Sequence, residues 1–300
     1  MTKKAPPSSP KYNRGVRNVT AFHIPKAGQA AQQEDTRVVE EDTLFIDITD
    51  VGNYTLMWTP TEVIDGGAGF THTDGILAEK EYPAPLSLAV GFAFTEGIIN
   101  SLDDIATMAI CPDEDSVVQM QLHNPEAVKT RRSNVVVTSS CGICGKRDIL
   151  EGNALGLETV PNEMTLAYDG IQNLMHLMKE RQAIFEDTGG SHAAAIFSPD
   201  GKLHAVAEDL GRHNAFDKVI GRTLLEHNNF KQRGALLSSR LSFEMVVKAV
   251  RAKLEIVAAV SAPTSLAIEL ADQFGLTLCG FVRGERATVY THPHRIKTSV

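Results

Sequence analysis

The residue types most able to do chemistry stand together in Ser139-Ser140-Cys141-Gly142-Ile143-Cys144-Gly145-Lys146-Arg147, a C-x-x-C pair among glycines, followed by two bases. Positive charge lowers a thiol's pKa from about 8.5 and raises its thiolate fraction at neutral pH. Two thiols at this spacing suit attack followed by resolution: one takes up a group and the other displaces it as a disulfide forms. Two other readings stay open. The cysteines could be inert and buried, although two glycines and two bases make a poor core sequence. They could be half of a zinc site, with only Cys111, Cys279 and ten histidines left to complete it and no second C-x-x-C. A thioredoxin-like dithiol fits the apolar run before the pair, but Gly145 and Gly152 weaken the helix that should follow. A zinc deaminase carries H-x-E and then P-C-x-x-C downstream. Here Ala194 stands where that glutamate should follow His192, and the pair lies upstream without the proline, which disfavours deamination.

Other segments are polar where packing alone would not demand it. Gly189-Gly190-Ser191-His192 enters a strand, and residues 208–214 lead into a helix with Asp209 as the expected N-cap. Backbone N–H groups at that helix start, together with Arg212 and His213, suit an anion; the plainer reading is an ordinary cap with solvated neighbours. In Gly280-Phe281-Val282-Arg283-Gly284-Glu285-Arg286 two arginines flank a glycine at a strand end. Such a pair can grip phosphate bidentately, or the segment can be a plain β-turn. The lone histidines His23, His72 and His123 read as surface residues.

The elements that must carry these segments follow from periodicity. Residues 43–49 alternate as a two-sided strand, and residues 54–58 return as its hairpin partner. Residues 59–85 have no period, a long loop for a compact domain. From Leu86 a helix places Leu88, Phe92 and Ile99 on one face, and short apolar runs follow at 106–111, 117–122 and 135–138. Asp169 is the expected cap of the next helix, and residues 193–197 and 202–208 form a second hairpin. Helices over 214–227, from Ser242 and from Thr264 or Ser265 then alternate with strands at 235–238, 256–260, 276–282 and 287–291. That alternation predicts a layered α/β core with a largely parallel sheet. The C-x-x-C loop falls at the C-terminal end of a strand, where sites collect in open α/β sheets.

Composition narrows the function. At 300 residues, 43% hydrophobic and 22% charged, the chain can bury a core in one large domain or two modest ones. A net charge of -8 disfavours nonspecific nucleic-acid binding, and 6% aromatics with Trp58 alone argue against a single-strand stacking surface. Four cysteines exclude a disulfide-dense secreted scaffold, and no apolar run is long enough to span a membrane. With no secretory signal, a reducing cytoplasm is the expected compartment. Residues 1–33 hold six bases and no acid, along with Pro6, Pro7 and Pro10, so a disordered basic tail is expected there and the remainder carries -14.

Taken together the segments resemble the FdhD family, the formate dehydrogenase accessory sulfurtransferases. The matching stretches are Gly91-Phe92, Thr95–Ile99, and residues 139–146, 188–195, 208–221, 239–249, 261–271 and 280–295, in family order. The resemblance implies a cytidine-deaminase-like layered α/β core over residues 134–300. A smaller β-rich part precedes it over 34–133, with an inserted loop at about 61–85. It implies a sulfur carrier, a low-turnover sulfurtransferase that takes persulfide sulfur from a cysteine desulfurase. The sulfur passes to the molybdenum cofactor, the bis(molybdopterin guanine dinucleotide) form, before insertion into formate dehydrogenase. Cys141 then bears the persulfide with Cys144 as partner, and Phe281, Val282, Arg283, Gly284, Glu285 and Arg286, with Arg212 and His213, hold the cofactor. It further implies a homodimer with no permanent cofactor and no metal; a zinc-binding chaperone and a thiol–disulfide oxidoreductase are the alternatives. One departure is Ala207, where the family carries an arginine before its Glu-Asp pair.

Overall fold

Alternation at period two builds the first half of the chain. The computed structural model describes residues 14–26, 30–62, 69–71, 82–128, 135–137, 156–226 and 229–298. β1 (Val16–His23) pairs antiparallel with β2 (Gln32–Val39) as a separate ribbon. β3 (Asp42–Ile48) and β4 (Gly52–Trp58) form the expected hairpin, burying Leu44, Ile46 and Ile48 and leaving Phe45 exposed. β5 (Gly69–Thr71), the helix α1 (Ala84–Thr95), β6 (Ile105–Cys111), β7 (Glu114–Leu122) and β8 (Val135–Val137) follow. The strands make a six-stranded sheet of order β5-β6-β7-β3-β4-β8.

The second half alternates as expected. It runs β9 (Leu166–Ala167), α2 (Tyr168–Glu180), α3 (Ala183–Thr188), β10 (His192–Phe197), β11 (Leu203–Asp209), α4 (Arg212–Leu225), β12 (Gly234–Leu237) and α5 (Phe243–Arg251). Then come β13 (Ile256–Ala259), α6 (Ser265–Gln273), β14 (Thr277–Arg283), β15 (Arg286–Thr291) and β16 (Ile296–Lys297), which pairs with β9. The main sheet has the order β11-β10-β12-β13-β14-β15. One apolar core extends from the first sheet through α1, α4, α5 and α6 to one face of the second, while α2 covers the opposite face.

Glycine decides how the two halves meet. A Cβ on Gly91 would lie 1.8 Å from the Asp217 carbonyl oxygen, and one on Gly221 would lie 1.8 Å from that of Ser87. α1 and α4 therefore cross backbone to backbone, a closeness only hydrogen at those positions allows. Every residue of α1 from Pro85 to Thr95 is buried, so the expected one-sided helix is enclosed all round by the sheet and α4.

Several expectations shift. The class stands as α/β, but the main sheet is mixed: only β12–β13 and β13–β14 pair in parallel, and β10 runs against both its neighbours. Residues 14–26 and 30–33 of the expected disordered tail carry β1 and the start of β2. They are anchored where Arg14 meets Asp115 at 2.6 Å and Arg37 meets Asp187 at 2.8 Å, contacts that a local reading of composition does not reveal. β8 pairs with β4, so residues 135–137 belong to the first sheet although they follow the expected boundary at 134. Within residues 61–85, where an inserted loop is expected, β5 adds an edge strand beside β6, and Glu62 accepts a hydrogen bond from the Ala84 amide. Thr264 caps α6 as expected, accepting from the Ala267 amide, whereas Ala167 occupies the cap of α2 and Asp169 lies inside its first turn.

Overpacking at the helix crossing cannot be relieved by a side-chain rotation, because the obstructing atom is backbone. Gly221→Ala should cost about 3 kcal/mol, the upper part of the usual overpacking range. Urea unfolding followed by circular dichroism checks this, with the midpoint falling and the slope unchanged.

Candidate functional site

The strand directions bring one edge of the main sheet together as a site. β11, β12, β13 and β14 all end there, β10 begins there, and α4, α5 and α6 start from it. Three helix N-termini at one edge make it electropositive before any side chain is counted.

Asp209 organises the corner. Its carboxylate accepts from the Gly211 amide at 2.9 Å, from Asn214 Nδ2 at 3.0 Å and from the Thr59 amide at 3.1 Å. Lys218 Nζ lies 2.7 Å from the same carboxylate, donates to the carbonyls of Thr59 and Glu208, and sits 4.9 Å from the Trp58 ring centroid. Asp209 is fully buried and Lys218 is 3% exposed. Asp209 is thus not the N-cap of α4, a position that Gly211 fills. It ties the strand, the helix and the first sheet together. Glu208 points elsewhere, accepting from the Ile184 and Phe185 amides at the start of α3 and from Ser191 Oγ at 2.7 Å. That bond fixes the Gly189–His192 segment, and the Ala193 amide donates to Ser238 Oγ at 2.8 Å on the neighbouring strand end.

Beside this segment is a cavity of about 670 Å³ between α2 and the sheet edge. His192, Ser238, Lys179, His176, Val282 and Arg283 are among the residues that line it. Of the expected cofactor loop, Val282, Arg283 and Gly284 reach the cavity. Phe281, Glu285 and Arg286 belong to the same hairpin but are not among its lining residues. Gly284 has φ +58° in the turn, and α2 pins the hairpin: Tyr168 Oη donates to the Glu285 carbonyl at 2.6 Å and Gln172 Nε2 to that of Arg286 at 3.3 Å. Val282 is wholly buried, while the Arg283 guanidinium lies 5.9 Å from the Phe281 ring centroid.

Arg212 and His213 stand in the first turn of α4, close enough to His192 to act on its charge. His213 Nε2 meets Glu244 at 3.2 Å, and that hydrogen bond first of all lowers the Glu244 pKa. Arg212 Nε and His213 Nδ1 are buried without a hydrogen-bond partner among the described residues. Ala207 lines a different cavity, of about 440 Å³, with Arg181, His204 and Arg222, so the missing arginine would not have faced His192. Cys141 and Cys144 lie outside the described residues. His192, Ser238 and Lys179 were not among the expected site residues; the polar Gly-Gly-Ser-His entry to a strand was the available signal.

Fold and edge together define an α/β protein built on two six-stranded sheets, with a cation-lined cavity where strands end and helices begin. A solved structure described as a formate dehydrogenase accessory protein from Desulfotalea psychrophila shares this fold, with a TM-score of 0.70 over 94% of this chain and 99% of its own, at 22% identity. The chain belongs to the FdhD/NarQ family, whose model matches residues 82–297. It is 41% identical over 213 residues to the sulfur carrier protein FdhD of Sulfurisphaera tokodaii, covering 70% of this chain and 79% of that one. It is 36% identical over 284 residues to the protein of that name from Mycolicibacterium paratuberculosis, covering 90% and 95%.

The two described cysteines differ. Burial pushes the Cys279 thiol up to about 12, whereas Cys111 is half-buried at the end of β6. Near neutral pH Cys279 is a thiol and not a nucleophile. In a Cys141→Ser/Cys144→Ser chain, iodoacetamide at pH 8 should label Cys111, and Cys279 only after unfolding, as read by peptide mass spectrometry.

Proposed function

We propose that the protein is a cytoplasmic sulfur carrier of the formate dehydrogenase system, bearing sulfur as a persulfide on Cys141. The Cys141 thiolate attacks the outer sulfur of a cysteine desulfurase persulfide; the donor's S–S bond breaks and its cysteine leaves as thiolate. The molybdenum cofactor, as the bis(molybdopterin guanine dinucleotide) cargo, docks at the cation-lined edge with Arg283 and Arg286 toward its phosphates and Arg212 and His213 on the α4 side. Cys144 thiolate then attacks the inner sulfur of the persulfide. A Cys141–Cys144 disulfide forms and the outer sulfur leaves as hydrosulfide for molybdenum, the two thiols supplying its two electrons. A cellular dithiol must reduce the disulfide afterwards. The charged cofactor passes to formate dehydrogenase, and the working unit is a homodimer.

The relatives named sulfur carrier proteins support the sulfur chemistry. The observation that carries the reading for this chain is the convergence on one edge. β8 runs parallel to β4 with Val137 opposite Leu56, and the next carbonyl on β4, that of Met57, accepts from Asn214 in the first turn of α4 at 2.6 Å. Cys141 follows Val137 by four positions, a reach of at most about 14 Å. No helix among the described residues is long and apolar enough to cross a membrane.

Incubation with a cysteine desulfurase and cysteine should add one sulfur, about 32 Da, to the intact protein, read by mass spectrometry under non-reducing conditions. Cys141→Ala should abolish the addition and Cys144→Ala should retain it. No addition to the unaltered chain, or addition that survives Cys141→Ala, would overturn the reading.

A further inference from the structure

We propose that His192 is an anion-contacting residue of the cavity between α2 and the sheet edge, and that a phosphate-bearing ligand binds there with uptake of one proton by its imidazole. The inference rests on the anion-holding role given to that cavity above.

His192 opens β10, opposite Asp209 in the β11 register, and its half-buried side chain lines the cavity. Among the described residues its ring has no hydrogen-bond partner. The permanent charges near it are cations: Arg212 of α4, Arg283 of β14 and Lys179 of α2, with the imidazoles of His213 and His176 beside them. The nearby acids are largely spoken for: Asp209 is taken by Lys218, Glu244 by His213 and Glu180 by His176. Glu285 shares the hairpin turn with Arg283.

Burial first, and then Arg212, hold the imidazole below its ordinary pKa, so with protein groups alone around it the ring is neutral at pH 7. A phosphate group brings negative charge into the same space. The field at His192 changes sign, and the imidazolium, with two donors instead of one, becomes the favoured form. The proton comes from solvent; no bond forms or breaks apart from N–H. A ligand that takes up a proton on binding binds more tightly as pH falls, by up to about tenfold per unit between the free and bound pKa values. The acidity dependence of retention is assigned to His192, which lines the cavity beside Arg283.

Sulfate is a suitable probe because it carries a phosphate-like charge but exchanges no proton near neutrality. Histidine ¹H–¹³C correlation spectra of the full chain are titrated from pH 5 to 8.5, in sulfate and in chloride at matched ionic strength. His192→Gln identifies the resonance. Sulfate should raise the apparent pKa of His192 by about one unit, a tenfold change in its proton affinity, and shift the amides of Val282 and Gly284. If those amides shift while the His192 pKa does not, the cavity holds anions without His192 and the proposal is overturned. If neither moves, the cavity is not an anion site and the proposal falls with it. The desulfurase mass test still reports separately on sulfur transfer at Cys141.

Discussion

The backbone crossing of α1 and α4 is the constraint on which the rest of the fold depends. Because Gly91 and Gly221 bring the two helices together, the adjacent residues Asp217 and Lys218 project from α4 into two different buried networks. Asp217 meets Lys248 of α5 at 2.8 Å and Thr95 of α1 at the same distance, locking three helices. Lys218 meets Asp209, locking α4 to β11 and to the end of β4. Burial pushes the Asp217 carboxyl pKa up while Lys248 pulls it down. Such buried pairs add little net stability over apolar packing, yet removing one partner leaves a charge stranded at a cost of about 3–5 kcal/mol. Their contribution is to admit one arrangement of the helices and few others.

That arrangement produces the site. With α4 held at this depth, its first turn comes level with the ends of β12, β13 and β14, and the Glu208 carboxylate clamps α3 and Ser191 so that β10 begins at the same edge. The result joins helix dipoles, arginines and the imidazoles of His176, His192 and His213 at one edge. Preorganised charge of this kind spends little energy on rearrangement when an anion arrives, because the helices and their buried pairs have already been ordered by folding.

Much of the second half was legible from periodicity: the β10–β11 hairpin with its Ser198–Gly201 turn, the Thr264 cap, and the alternation from α4 to β15. Strand direction was not. Nothing in the residues of β10 records that it runs against β12; that follows from where the preceding helices leave the chain. Asp209 looks like a cap because capping and anchoring call for the same residue before a helix, and the partner that decides between them, Thr59, is 150 residues away. The ribbon of β1 and β2 was missed for a similar reason, since its anchor Asp115 is 101 residues from Arg14. Of the cavity's lining residues, Arg283 and Gly284 stand out in the sequence as part of two arginines around a glycine, while His192 shows there only as an oddly polar start to a strand. Cys141 and Cys144 fall outside the described residues, and the chemistry proposed for them rests on their spacing and flanking residues in the sequence.

The meeting of Glu62 with the Ala84 amide bears on how much chain the fold can carry between them. A segment whose two stems are fastened to each other begins and ends at nearly the same place, and here β5 ties it once more to the first sheet. Its length is then almost neutral to the folding equilibrium, since doubling such a loop adds only about 0.6 kcal/mol of closure entropy. Residues added on either side of β5 would therefore cost folding little, while β5 and the start of α1 stay bound to the sheet and the helix crossing.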